Sequence, residues 1–137
     1  MNRLSTAKRV AVISALVEGC SVRSTSRLTG VAKGTILRLL ADVGRACAAY
    51  QDTAIRNVTA SRVQIDEIWS FVGCKKKNLT AEILAKNPRA GDAWTFVAID
   101  AETKLVLSWL VGTRDEGCAT VFAGRCRSRI ESHSTHH

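Results

Sequence analysis

Asp66 and Glu67 interrupt an otherwise apolar run, Val63-Gln64-Ile65-Asp66-Glu67-Ile68-Trp69-Ser70-Phe71-Val72. Val63, Ile65, Ile68, Trp69, Phe71 and Val72 are β-branched, aliphatic or aromatic, and they fall on both faces of a period-two ribbon. A strand apolar on both faces belongs at the centre of a sheet covered on both sides. A carboxylate in that setting is costly unless it is paired, hydrogen-bonded or bound to a cation. Asp66 is therefore a candidate metal-binding residue; the plainer alternative is an aspartate near a strand end, solvated by water. Glu67 cannot join it at one ion, because successive strand residues point to opposite faces.

A second set of residues has the chemistry of nucleic-acid contact. Lys33, Thr35 and Arg38 stand in the first turns of an expected helix, and Arg23, Ser24 and Arg27 stand in the expected helix before it. Arg, Lys and Thr side chains can reach base edges or phosphates from a helix N-terminus, while residues of the preceding helix brace the backbone. The alternative is a three-helix bundle with a solvated basic face. Lys75-Lys76-Lys77 could hold phosphates near Asp66, although such a run more often marks a solvated loop.

The elements that must position these residues follow from the patterning. Val10, Ile13, Leu16 and Val17 recur at helical spacing behind Ser5 and Thr6, so a helix is expected over residues 5–18, ended by Gly19. Ser21 can cap a second helix, Val22 to Leu28, and Gly30-Val31 supplies a tight turn. A third helix is expected from Lys33 to Tyr50, with Ile36, Leu39, Leu40, Val43 and Ala46/Cys47 inward. Ala32 stands where a Ser or Thr cap is usual. This helix–turn–helix pattern makes residues 1–50 a DNA-binding domain. Residues 51–61 lose the helical period and read as a linker, and residues 73–92 read as polar and turn-rich. An antiparallel hairpin is expected over residues 93–111 with Asp100 to Lys104 at its tip, then a helix over 115–129. Residues 131–137, with His133, His136 and His137, abandon every pattern and read as a disordered or frameshifted tail.

Composition agrees with this division. The net charge is +8. Residues 1–61 hold nine Lys or Arg against three acids, a balance of +6, and residues 62–137 hold eleven against nine, a balance of +2. The basic excess favours an anionic partner for the first half. Five cysteines are widely spaced, with no C-x-x-C and no zinc-finger spacing. Arg3, Lys8 and Arg9 break the N-terminus before any signal-like apolar run. Reduced thiols in a cytoplasm and no membrane span are the expectation.

Ile65-Asp66-Glu67-Ile68-Trp69-Ser70-Phe71, Trp94-Thr95-Phe96-Val97-Ala98-Ile99-Asp100-Ala101-Glu102-Thr103-Lys104 and Ser108-Trp109-Leu110-Val111-Gly112-Thr113-Arg114-Asp115 together resemble bacterial insertion-sequence transposases of the IS-one type. Ala7 to Val10, Leu16 to Gly19, Ser26 to Val31 and Gly44 to Cys47 look like that family's helix-turn-helix segment, and the resemblance runs over roughly residues 2 to 130. It implies an α+β chain: a three-helix helix-turn-helix domain, then an incomplete ribonuclease-H-like β-β-β-α segment over residues 62–130. It implies DNA transposition through three acids holding two magnesium ions, which activate the attacking oxygen and stabilise the leaving one. Asp66 matches the first acid. Asp100 is read as a turn residue and not as the second, which is expected just after Arg129-Ile130, where the chain reads Glu131-Ser132-His133 instead. The expectation is thus a catalytically inactive, truncated transposase that binds double-stranded DNA, with self-association as a further expectation. The alternative is a small helix-turn-helix regulator with a C-terminal dimerisation segment.

Overall fold

In a computed structural model that describes residues 3–130, the chain is α+β and divides into two compact units between Ala54 and Ile55. The first unit holds three helices, α1 (Thr6–Val17), α2 (Val22–Thr29) and α3 (Lys33–Ala54). Ser5 caps α1 by accepting from the Lys8 amide at 3.2 Å, and Ser21 caps α2 by accepting from the Ser24 amide at 3.1 Å. Each satisfies one of the amides a helix start leaves open. Gly30 ends α2 with φ 70°, a left-handed conformation that costs glycine little.

Val12, Val31 and Ile36 form the buried centre of this unit, with Leu4, Leu16, Val22 and Leu39 packed around it. Fully burying each such aliphatic side chain contributes about 1.5–3 kcal/mol. Side chains of α2 tie the turn to α3: the Ser26 hydroxyl donates to the Val31 carbonyl at 2.7 Å, and the Thr29 hydroxyl accepts from the Val31 amide at 3.3 Å. The Lys8 ammonium donates to the Thr29 carbonyl, placing a cation at the negative end of α2.

The inner face expected for α3 is only partly realised. Ile36 is buried and Leu39 and Val43 are half-buried, but Leu40, Ala46 and Cys47 are exposed. For Ala46 and Cys47 the reason is length. With 22 residues α3 runs about 33 Å, whereas α1, with 12, runs about 18 Å. The second half of α3 therefore continues past the helix it packs on.

The second unit holds β1 (Val63–Val72), a short helix α4 (Ala81–Lys86), β2 (Gly91–Asp100), β3 (Val106–Gly112) and α5 (Glu116–Arg127). The three strands form one antiparallel sheet in the order β1-β2-β3. The hairpin expected over residues 93–111 is present as β2 and β3, and the Asp100–Lys104 turn joins them. β1 corrects an expectation: it is an edge strand and largely exposed, with Ile65 at 61%. The central strand is β2, whose Phe96 and Ala98 are buried. α5 lies on the face carrying those two residues, through Phe122 and Cys126. Burial in this cluster pushes the Cys126 thiol pKa up.

The segment expected as a linker is structured. Residues 51–54 continue α3, Val58 bridges Ile130 in parallel, and the Arg62 carbonyl accepts from the Ala101 amide at 2.9 Å. The polar stretch 73–92 also contains more than loop, because Thr80 caps α4 by accepting from the Ile83 amide at 3.3 Å. The tail reading for residues 131–137 lies outside the described residues. No helix among the described residues is long and apolar enough to cross a membrane.

Gly112 closes β3 against the first turn of α5, and a Cβ added there would meet the Cys118 sulfur at 2.7 Å. Gly112→Ala should therefore destabilise the chain by about 1–3 kcal/mol through overpacking. Adding Cys118→Ala should restore most of the stability, as read by urea unfolding of the single and double variants. Additive effects would mean that the two sites do not touch.

Candidate functional site: a basic helix face and a lone strand carboxylate

The residues with nucleic-acid chemistry sit on the three-helix unit. Arg23 and Arg27 are exposed on α2, and Arg27 donates to the Ser24 hydroxyl at 3.2 Å. Lys33 is exposed at the start of α3. Arg38, one turn further on, donates to the Thr35 hydroxyl at 3.4 Å. Thr35 and Arg38 also line an open groove of about 1030 Å³ between α1 and α3, together with Arg3 and Arg9. The structure thus joins Arg3 and Arg9 to the basic set. In the sequence they only break a signal-like run. Their signal was the clustering of Arg3, Lys8 and Arg9 around the α1 cap, which gains meaning only when α3 is packed beside it.

Asp66 is exposed, and one of its oxygens accepts from the Glu67 amide at 2.8 Å. The register pairs Asp66 with Val97 and Val97 with Trp109, so this row of the sheet is aspartate, valine and tryptophan. Gln64, Ile68, Ser70 and Val72 share its face on β1, and Ala93, Thr95, Val97 and Ile99 share it on β2. None of these is an acid. Glu67 points to the opposite face, where it accepts from Arg114 at 2.8 Å. That pair is partly exposed and contributes little to stability.

Asp100 also falls on the opposite face, paired with Val63. It is 3% exposed and acts as a turn anchor: it accepts from the Thr103 hydroxyl at 2.5 Å, the Thr103 amide at 3.2 Å and the Glu102 amide at 3.4 Å. The Lys75-Lys76-Lys77 run does not stand by Asp66. The Lys75 ammonium lies over the Trp69 ring at 5.3 Å, and Trp69 belongs to the Glu67 face. Among the described residues no group of three or more His, Cys, Asp and Glu side chains could hold a metal ion. A two-magnesium centre needs several converging carboxylates. Asp66 with the described residues around it does not fit that requirement.

Comparison of the chain with protein-family models, with curated protein sequences and with solved structures finds no match to any of them.

Two aspartates of the second unit are held below their ordinary carboxylate values. The Thr103 hydroxyl, followed by the Glu102 and Thr103 amides and the Lys104 charge, holds the Asp100 carboxyl below its ordinary value against the opposing effect of burial. The Thr113 hydroxyl and the Cys118 amide do the same for Asp115, the cap of α5. A pKa lower in the folded than in the unfolded state gives stability that is present above the unfolded value and lost as pH falls through the folded one. Melting temperature should therefore fall on acidification below the ordinary carboxylate range. Asp100→Asn should melt lower than the parent at neutral pH and show a shallower acid decline. An acid decline as steep as the parent's would remove Asp100 from this role.

Proposed function

We propose that the three-helix unit is a helix-turn-helix that binds double-stranded DNA, and that the chain is an insertion-sequence transposase acting in DNA transposition. The observation that carries the reading is the segment α2–Gly30–Val31–α3. Gly30 makes a tight left-handed turn, Ser26 and Lys8 hold that turn rigid, and Lys33, Thr35 and Arg38 lie exposed or half-buried on the first turns of α3. A helix presented in this way can enter a major groove by its N-terminal end, while Arg23 and Arg27 of the preceding helix contact phosphates. The charge balance of residues 1–61 supports the same partner.

The sheet belongs to this reading through Asp66, the residue matching the first acid of a ribonuclease-H-like centre. Magnesium is the cofactor such a centre takes. Because the described residues place no second carboxylate on the Asp66 face, we assign this chain DNA recognition and not strand cleavage or transfer by itself. A second reading, a small DNA-binding regulator that associates through its C-terminal unit, is favoured by one observation. The sheet face opposite α5 leaves Ile68, Val72, Trp109 and Val111 exposed, and contiguous apolar exposure of that kind marks interaction surfaces.

The test is a titration of the full chain with duplex DNA across a salt series. Binding should weaken steeply with salt. Arg38→Ala and Lys33→Ala should each weaken it and lower the salt slope by about one unit for each phosphate no longer neutralised. Salt-insensitive or absent duplex binding would sink the DNA reading. With magnesium or manganese the chain alone should leave the DNA uncut; cleavage that vanishes in Asp66→Asn would show that the metal site is complete after all. A stable dimer whose DNA binding depends on dimerisation would favour the regulator.

A further inference from the structure

The β1 end of the α5-bearing sheet face carries an aromatic row that the proposed duplex contact does not use. Trp69 and Phe71 lie two residues apart on β1, with ring centroids 5.9 Å apart and planes tilted by 43°. Trp94 stands opposite Trp69 in the register. The cluster that Phe122 and Cys126 form on β2 takes in Val63 at the start of β1 but not Trp69 or Phe71, which stay 41% and 46% exposed. Half-exposed aromatic rings in a row are unusual on a soluble sheet unless they meet something flat or apolar.

Cations surround this row. Lys75 lies over Trp69 and the Arg114 guanidinium lies over Trp94 at 5.0 Å. The turn that carries Lys76 and Lys77 is pinned to the same face, because the Lys76 amide donates to an Asp92 oxygen at 2.9 Å, and Asp92 is the register partner of Phe71. All three lysines are exposed. Glu67 is engaged by Arg114, and Asp92 accepts from the Lys76 amide of the turn.

We propose that Trp69 and Phe71, flanked by Lys75, Lys76 and Lys77, form a stacking platform for single-stranded DNA. Aromatic rings beside a basic track are the recurring chemistry of single-strand binding: each ring offers a face to one base and the cations take the phosphates. Same-face residues on a strand recur every ~6.7 Å, which leaves separate bases room on separate rings. Lysine side chains are long and flexible enough to leave the ring face for a phosphate. The choice of DNA over RNA rests on the duplex-DNA reading of the N-terminal unit; the platform itself does not. An anionic lipid surface has the same charge and also accepts aromatic side chains. The lysine track beside the rings favours a chain of phosphates with stacked bases.

Tryptophan emission of the full chain, titrated with a short oligothymidylate, tests this. Quenching is expected, with affinity falling at least about fivefold in Trp69→Ala, the low end of the effect of one stacked base. Replacing Lys75, Lys76 and Lys77 by Gln together should weaken binding and lower the salt slope by about 0.7 for each phosphate no longer neutralised. These lysines lie on an exposed turn, so that variant reports on binding even if Trp69→Ala disturbs the sheet. Parental affinity in both variants, with unchanged circular dichroism, overturns the platform. Tighter binding to phosphatidylglycerol vesicles than to oligothymidylate also overturns it, and tighter binding to oligouridylate overturns the choice of DNA. Duplex affinity is read separately on the same preparation. Absence of oligothymidylate binding with duplex binding intact overturns the platform alone, whereas oligothymidylate binding without duplex binding supports the platform and removes the N-terminal reading.

Discussion

Phe122 of α5 meets Phe96 of β2 with ring centroids 5.8 Å apart, and this contact decides which face of the sheet is covered. Three strands and one long enough helix can bury one face only. Phe96, Ala98, Ser108 and Leu110 lie toward α5, so Asp66, Val97, Trp109 and Val111, displaced by one residue in the pleat, lie away from it. Asp66 is exposed for this reason. Its place in the sheet follows from register and not from any preference of its own.

The same contact explains the aromatic row. α5 begins at Asp115, whose side chain caps the helix by accepting from the Cys118 amide at 2.8 Å, and Cys118 packs closely on Gly112 of β3. With its start held beside β3, the helix builds a cluster that takes in Val63 at one end of β1 but not Trp69 and Phe71 at the other. Trp69 and Phe71 are then exposed beside Lys75, although they lie on the same face as the core. Asp66 and the proposed binding surface thus occupy opposite faces of one strand.

In the helical unit the organising constraint is the short turn between α2 and α3. Gly30 supplies the backbone conformation, Ser26 and Thr29 satisfy polar groups around it, and Lys8 reaches from α1 to the last carbonyl of α2. Buried polar groups without partners are costly, so each of these bonds restricts the alternatives open to the turn. The proposed recognition residues inherit their position from that restriction. Arg38 and Thr35 share a groove with Arg3 and Arg9 because α1 and α3 meet at Ile36 and Val12.

Local chemistry was readable in the chain itself. Ser5, Ser21 and Gly30 mark helix ends through bonds and dihedrals made within a few residues, and the structure places α1, α2 and the start of α3 where those signals stand. The β2–β3 hairpin was readable for the same reason, since Asp100 and Thr103 build its turn from their own neighbours. The rank of β1 in the sheet was not. Its residues are apolar on both faces, which suits a central strand, yet among the described residues only β2 pairs with it. Apolar patterning reports what a strand tolerates, and the number of layers available to cover it is a property of the assembled chain. The length of α3 beyond Tyr50, the tie between Val58 and Ile130, and the meeting of Lys75 with Trp69 were likewise decided by tertiary structure. Each joins residues through packing or pairing across elements, and no periodicity within one segment encodes where another segment will lie.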